Sequence, residues 1–116
     1  MRLLLASASP RRAELLTAAG FEFESVPVGI DENRRGGEHA PEYVQRLADA
    51  KADAVARRHP GAVVIGADTA VVTDRGEILG KPATEDDASR MLRLLAGRTH
   101  HVMTGIADKF TQSAQA

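Results

Sequence analysis

A chain of 116 residues, 43% of them apolar and 27% charged, has the size and composition of one globular domain. With 15 basic residues against 16 acidic ones it carries no overall field to draw it onto nucleic acid or a membrane surface, so any polyanion site must be a local cluster. The lack of cysteine excludes disulfides, thiolate nucleophiles and metal–thiolate sites, and three Phe, one Tyr and no Trp leave an aliphatic core. The N-terminal MRLLLASASP has an apolar run only from Leu3 to Ala6, short of the roughly 7–15 residues of a secretory h-region, and no stretch approaches the roughly 20 apolar residues of a membrane span. The reading is therefore of a soluble, cytoplasmic protein with no membrane association and no stable nucleic acid binding.

Leu3 to Ala6 reads as a short strand buried on both faces. Ser9 and Pro10 are a helix N-cap and first helical residue, Ala13, Leu16 and Ala19 repeat at helical spacing, and Gly20 ends the helix. Phe21, Phe23 and Ser25 alternate with Glu22 and Glu24 as a half-buried strand, continued in extended form through Val26, Val28 and Ile30 to Asp31 and Glu32. Asn33 to His39 is an exposed loop, and Pro41 opens a helix running to about His59. Ala62 to Ile65 and Ala70 to Val72 read as two strands separated by Gly66 to Thr69. Asp74-Arg75-Gly76 turns the chain back to Ile78 and Leu79 as a hairpin. Thr84 to Asp87 resembles a capping box opening a third helix that Gly97 stops, and Val102, Thr104 and Ile106 read as a final strand. Beyond Asp108 periodicity is lost, and 108–116 is expected to be a loose, disordered tail.

Three places carry chemistry. Ser7, Ser9, Arg11 and Arg12 surround a strand-to-helix turn, where free backbone N–H groups, hydroxyls and guanidiniums together favour a phosphate. Arginines in a first helical turn oppose the helix dipole, so an anion there offsets a cost; the alternative is a simple Ser9 cap with solvated arginines. Lys51 falls on the apolar stripe of Val44, Leu47, Ala48 and Val55, where a lysine either snorkels over the core or enters a polar cavity. Asp68 sits in an apolar strand run, where an ionised carboxylate needs a cation, a metal or a catalytic role; the alternative is an Asp at a strand end bonded to turn amides. Glu32 and Lys81 are unremarkable by themselves. His100 and His101, adjacent on a strand, point to opposite faces and do not easily share an ion. Neither a GxxxxGK[ST] loop nor a GxGxxG fingerprint is present.

The segments LASASPRRAELL, VGIDE, YVQRLADAKA, VIGADTAVV, ILGKP and GRTHHVMTG, in that order from Leu3 to about Ala107, resemble the Maf family of nucleotide pyrophosphatases. The resemblance implies an α/β fold with a mixed β-sheet flanked by helices, the N-terminal portion of the Maf-like (ITPase-like) architecture. Residues 1–107 would form that domain, incomplete at its C-terminus, with 108–116 outside the family pattern. It also implies hydrolysis of a nucleoside triphosphate to the monophosphate and pyrophosphate, a divalent cation (Mg²⁺ or Mn²⁺) and a homodimer. Asp68 would be the proton acceptor. Ser7, Arg11, Arg12, Lys51, Thr69 and Lys81 would bind substrate, and Glu32 with Asp68 would hold the metal. Arg12 and Thr69 resemble the dTTP/UTP branch rather than the 7-methyl-GTP branch. Two alternatives stand beside this: a 7-methyl-GTP pyrophosphatase, and an inactive remnant that binds nucleotide weakly or acts only through a partner.

Overall fold

The computed structural model describes residues 2–79, 84–95 and 100–110. In chain order these form β1 (Leu3–Ala6), α1 (Pro10–Ala18), β2 (Glu24–Ser25), α2 (Ala40–Ala56), β3 (Val63–Thr73), β4 (Ile78–Leu79), α3 (Glu85–Leu95) and β5 (His100–Phe110). Lys81, Gly97 and the segment after Phe110, all singled out in the sequence, lie outside the described residues.

The sheet is mixed and organised around β3. One edge of β3 pairs antiparallel with β5 over its whole length, from Val63 opposite Phe110 to Thr73 opposite His100. The other edge is shared: β1 runs parallel to its first part, Leu3 opposite Val63 through Ala6 opposite Gly66, and β4 pairs antiparallel with Val71 and Val72. Between those two partners, the edge of β3 at residues 67–70 has no strand beside it among the described residues. On the outer side of β1 lies β2, parallel to it.

Helix α2 covers one face of the sheet. Its Ala48, Ala52, Val55 and Ala56 pack with Leu4, Ala6, Val64 and Ala107 to make the core. Small side chains allow a close approach, and two glycines complete it. A Cβ on Gly66 would collide with the Ala48 carbonyl and the Ala52 methyl, and one on Gly105 would lie 2.6 Å from the Val44 carbonyl carbon. This accounts for the expected break between two strands being absent: Gly66 does not interrupt β3, because its missing side chain is what lets the helix sit on it. The opposite face carries α1, which buries none of its residues, and Val102, Ile106 and Phe110 are more than half exposed there.

Two further boundaries differ from expectation. The strand foreseen from Phe21 shrinks to Glu24–Ser25 because the end of α1 uses the neighbouring amides. Gly20, at φ 90°, and Phe21 donate back to the Thr17 and Leu16 carbonyls, a Schellman closure that keeps Phe21 out of the sheet. At the other end β5 continues through Asp108, Lys109 and Phe110, which pair with Ile65, Val64 and Val63. The expected loose tail therefore does not begin at Asp108. The free edge of β3 recruits these residues by main-chain hydrogen bonds whatever their side chains, and Lys109 Nζ lies 3.8 Å from Asp53 on α2.

The loop before α2 has no strand to hold it and is fixed by side chains instead. Arg46 of α2 grips both carboxylate oxygens of Glu38, at 2.7 and 3.0 Å, and also donates to the Asn33 carbonyl at 3.0 Å. Arg34 donates to the Glu38 carbonyl and the Arg35 amide to its carboxylate, so this Arg pair closes the loop rather than forming a basic patch. Hydrogen bonds from Arg46 hold the Glu38 carboxyl down at about 2 against an ordinary 4.5, aided by the Arg35 amide and both positive charges and opposed by burial.

Two outcomes follow from this packing. Gly105→Val, which drives a branched side chain into the Val44 backbone, should destabilise the chain by roughly 1–3 kcal/mol or more in urea unfolding. Gly29→Ala, with open space around it, should shift stability by no more than about 0.5 kcal/mol. Because Glu38 binds its proton less readily folded than unfolded, it contributes stability above about pH 4.5 that is lost as pH falls towards about 2. The difference in urea midpoint between the wild type and Glu38→Gln should therefore be largest at neutral pH and shrink through that window; a constant difference would contradict the assignment.

Candidate active site

The turn from β1 to α1 is built from its own hydroxyls. Ser7 is buried, and its Oγ accepts from the Ser9 amide at 3.1 Å and from Arg12 Nη1 at 3.1 Å. Ser9 caps α1, accepting from the Arg12 amide at 3.4 Å, with Pro10 in the first turn as its sequence requires. The other arm of Arg12, Nη2, donates to Thr69 Oγ1 on β3 at 2.7 Å, and Thr69 Oγ1 is 3.1 Å from Thr104 Oγ1 on β5. A single guanidinium thus ties the turn to the central strand. Arg11, Arg12, Thr69 and Thr104 line an open hollow of about 540 Å³ together with apolar Leu16 and Ile65.

On the other side of the sheet, under α2, Asp68 is 8% exposed. Lys51 does not snorkel: its Nζ donates to Asp68 Oδ1 at 2.8 Å and lies 3.6 Å from Glu32 Oε1. Burial of the carboxylate is thereby matched by an ammonium from the facing helix, which is why an Asp is tolerated inside an apolar strand. Glu32 is on the extended segment, its side chain 58% exposed, and its carbonyl accepts from Tyr43 Oη at 2.6 Å. Burial and the nearby carboxylates of Asp68 and Glu32 push the Tyr43 phenol up, keeping it a neutral donor.

The expected site residues therefore form two groups rather than one. Ser7, Arg11, Arg12 and Thr69 lie on the α1 face, whereas Asp68, Lys51 and Glu32 lie on the α2 face, and the hollow lined by the arginines is not lined by Asp68 or Lys51. Alternation along a strand is the reason: Asp68 and Thr69 are neighbours, so they point to opposite faces. The two groups meet at the stretch of β3 whose edge lies open between β1 and β4, with Ser7 following directly on the last paired residue of β1. Thr104, Tyr43 and Arg46 were not expected. Thr104 becomes visible only once the register places it opposite Thr69, while the i, i+3 spacing of Tyr43 and Arg46 on one helix was the available signal for them.

Asp68 and Glu32 both face the Lys51 ammonium, so their oxygens converge on one cationic point. No group of three or more His, Asp or Glu gathers among the described residues. This donor set does not make an all-protein cage. It suits a hard cation that takes one or two carboxylates and fills its remaining positions with water and phosphate oxygens.

The family profile described as "Maf-like protein" matches residues 2–115. The chain is 54% identical over 105 residues to a dTTP/UTP pyrophosphatase of Geotalea uraniireducens, covering 90% of this chain and 54% of that protein. It is 53% identical over 106 residues to one of Koribacter versatilis, covering 91% and 54%, and 55% identical over 106 residues to one of Salmonella typhimurium, covering 90% and 53%. The chain thus spans about half the length of the curated relatives it matches. A match over nearly the whole chain, together with the sequence identity, establishes that this chain belongs to the Maf family.

Proposed function

We propose that this chain carries the phosphate-binding and water-activating residues of a nucleoside triphosphate pyrophosphatase acting on dTTP and UTP. The observation that supports it best is the buried Asp68, held by Lys51 at the open edge of β3, beside a residue that the Arg12 guanidinium binds on the opposite face. A triphosphate crossing that edge meets cations on both sides, Arg11 and Arg12 from the turn and Lys51 from α2. The family pattern gives Lys81 the same role.

In the reaction, water attacks the α-phosphorus while the bond to the bridging oxygen of the β-phosphate breaks, and pyrophosphate leaves with the bonding electrons. Asp68 takes the proton of the attacking water. The arginines and Lys51 neutralise charge accumulating on the leaving pyrophosphate, and the Ser7 turn orients the chain of phosphates. Asp68 and Glu32 would hold a divalent cation, Mg²⁺ or Mn²⁺, which when bound supplies further charge neutralisation and polarises the water. The Arg12–Thr69 hydrogen bond, between two residues of the dTTP/UTP branch pattern, supports that branch, as does the likeness to relatives named dTTP/UTP pyrophosphatases.

The deciding measurement is pyrophosphate release from dTTP with Mg²⁺. Asp68→Asn should lower kcat by about 10² or more, Arg12→Ala should chiefly raise KM, and 7-methyl-GTP should be the poorer substrate. Equal release by the wild type and Asp68→Asn would remove catalysis by Asp68 and leave nucleotide binding alone.

A further inference from the structure

We infer that Tyr43 and Arg46 of α2, acting with Glu38, are positioning residues that hold Glu32 against Asp68 and Lys51 for the divalent cation; this rests on the metal-dependent reading above. Glu32 is the exposed member of the acidic pair and lies on a segment with no helix or strand of its own. Main-chain ladders therefore do not fix it, and an untethered carboxylate would have to be ordered each time it engaged an ion.

Two hydrogen bonds supply the tether. Tyr43 Oη donates to the carbonyl of Glu32 itself at 2.6 Å, and Arg46 Nη2 donates to the carbonyl of the next residue, Asn33, at 3.0 Å. Neither donor is loose. Arg46 is clamped through two oxygens by the buried Glu38, whose carbonyl and carboxylate are held in turn by Arg34 and the Arg35 amide, and the guanidinium lies 5.7 Å from the centre of the Tyr43 ring. Lys51, which meets both carboxylates, is about two turns further along the same helix. One rigid element thus sets the Glu32 backbone and the cation opposite its side chain in a single frame. A role confined to loop stability does not account for the tethers falling on Glu32 and its immediate neighbour.

The test is equilibrium binding of Mn²⁺ to the metal-free chain without nucleotide, read as free Mn²⁺ by electron paramagnetic resonance, with thermal unfolding measured alongside. Tyr43→Phe removes one oxygen from a half-buried ring, and Arg46→Met keeps the stem but removes the fork. Each should weaken Mn²⁺ binding by roughly 10-fold, with Tyr43→Phe leaving the melting temperature essentially unchanged. In a Glu32→Gln background Tyr43→Phe should have no further effect, because both changes act through one carboxylate. Tyr43→Phe decides the matter by itself if Arg46→Met does not fold. Wild-type affinity in Tyr43→Phe, or an equal loss in the Glu32→Gln background, overturns the inference while leaving the metal reading intact. A wild-type chain that binds no Mn²⁺, or Glu32→Gln binding as tightly as wild type, overturns the metal reading and this inference with it.

Discussion

The contact on which the molecule depends is that of α2 with the two long strands. The helix backbone at Val44 and Ala48 comes down onto Gly105 and Gly66, and alanines at 48, 52 and 56 keep the space between them small. Close approach does more than bury apolar surface. It brings the Lys51 ammonium within 2.8 Å of a carboxylate rooted in the sheet, and it sets Tyr43 and Arg46 over the loop that carries Glu32. A helix held further away by larger side chains would leave the largely buried Asp68 carboxylate without its cation, a costly arrangement.

The charged side chains of the candidate site are divided by the strand that runs through it. Asp68 and Thr69 are consecutive, and the alternation of β3 delivers one to the α2 face and the other to the α1 face. The open stretch of edge between β1 and β4 is where the faces communicate, and the hydroxyl-rich turn after β1 begins there. Cations approach from both sides: one guanidinium braced by Ser7 and Thr69, and one ammonium braced by Asp68 and Glu32. Each positive group is thus oriented by neutral or acidic partners before any polyanion arrives, which lowers the ordering cost of binding one.

The two faces of the sheet are unequal. Under α2 the side chains are small and closely packed, whereas the α1 face presents Val102 and Ile106, more than half exposed, in a hollow with arginines at its wall. The close packing accordingly lies on the α2 side, and Arg11 and Arg12 stand on the thinly covered side. The relatives at 51–55% identity are about twice as long as the region matched.

Local chemistry made much of this legible before any fold was known. The Ser9-Pro10 cap, the Gly20 stop, the apolar stripe of α2 and the Asp74-Arg75-Gly76 turn are short-range signals, and the structure realises each within a few residues. The family motifs pointed to Asp68, Lys51, Glu32 and Arg12 by residue type and order. What the chain by itself did not reveal were relations between distant segments. That β3 is one strand, that β5 extends to Phe110, and that Thr104 stands opposite Thr69 depend on strand register, which no local pattern encodes. Whether Lys51 snorkels or turns inward was likewise undecided until the helix docked, since the same lysine on the same stripe suits either outcome. Residue identity determined which charged and hydroxyl groups were available; the distance between α2 and β3 determined which of them meet, because a hydrogen bond is made or lost over a few tenths of an ångström that only packing can set.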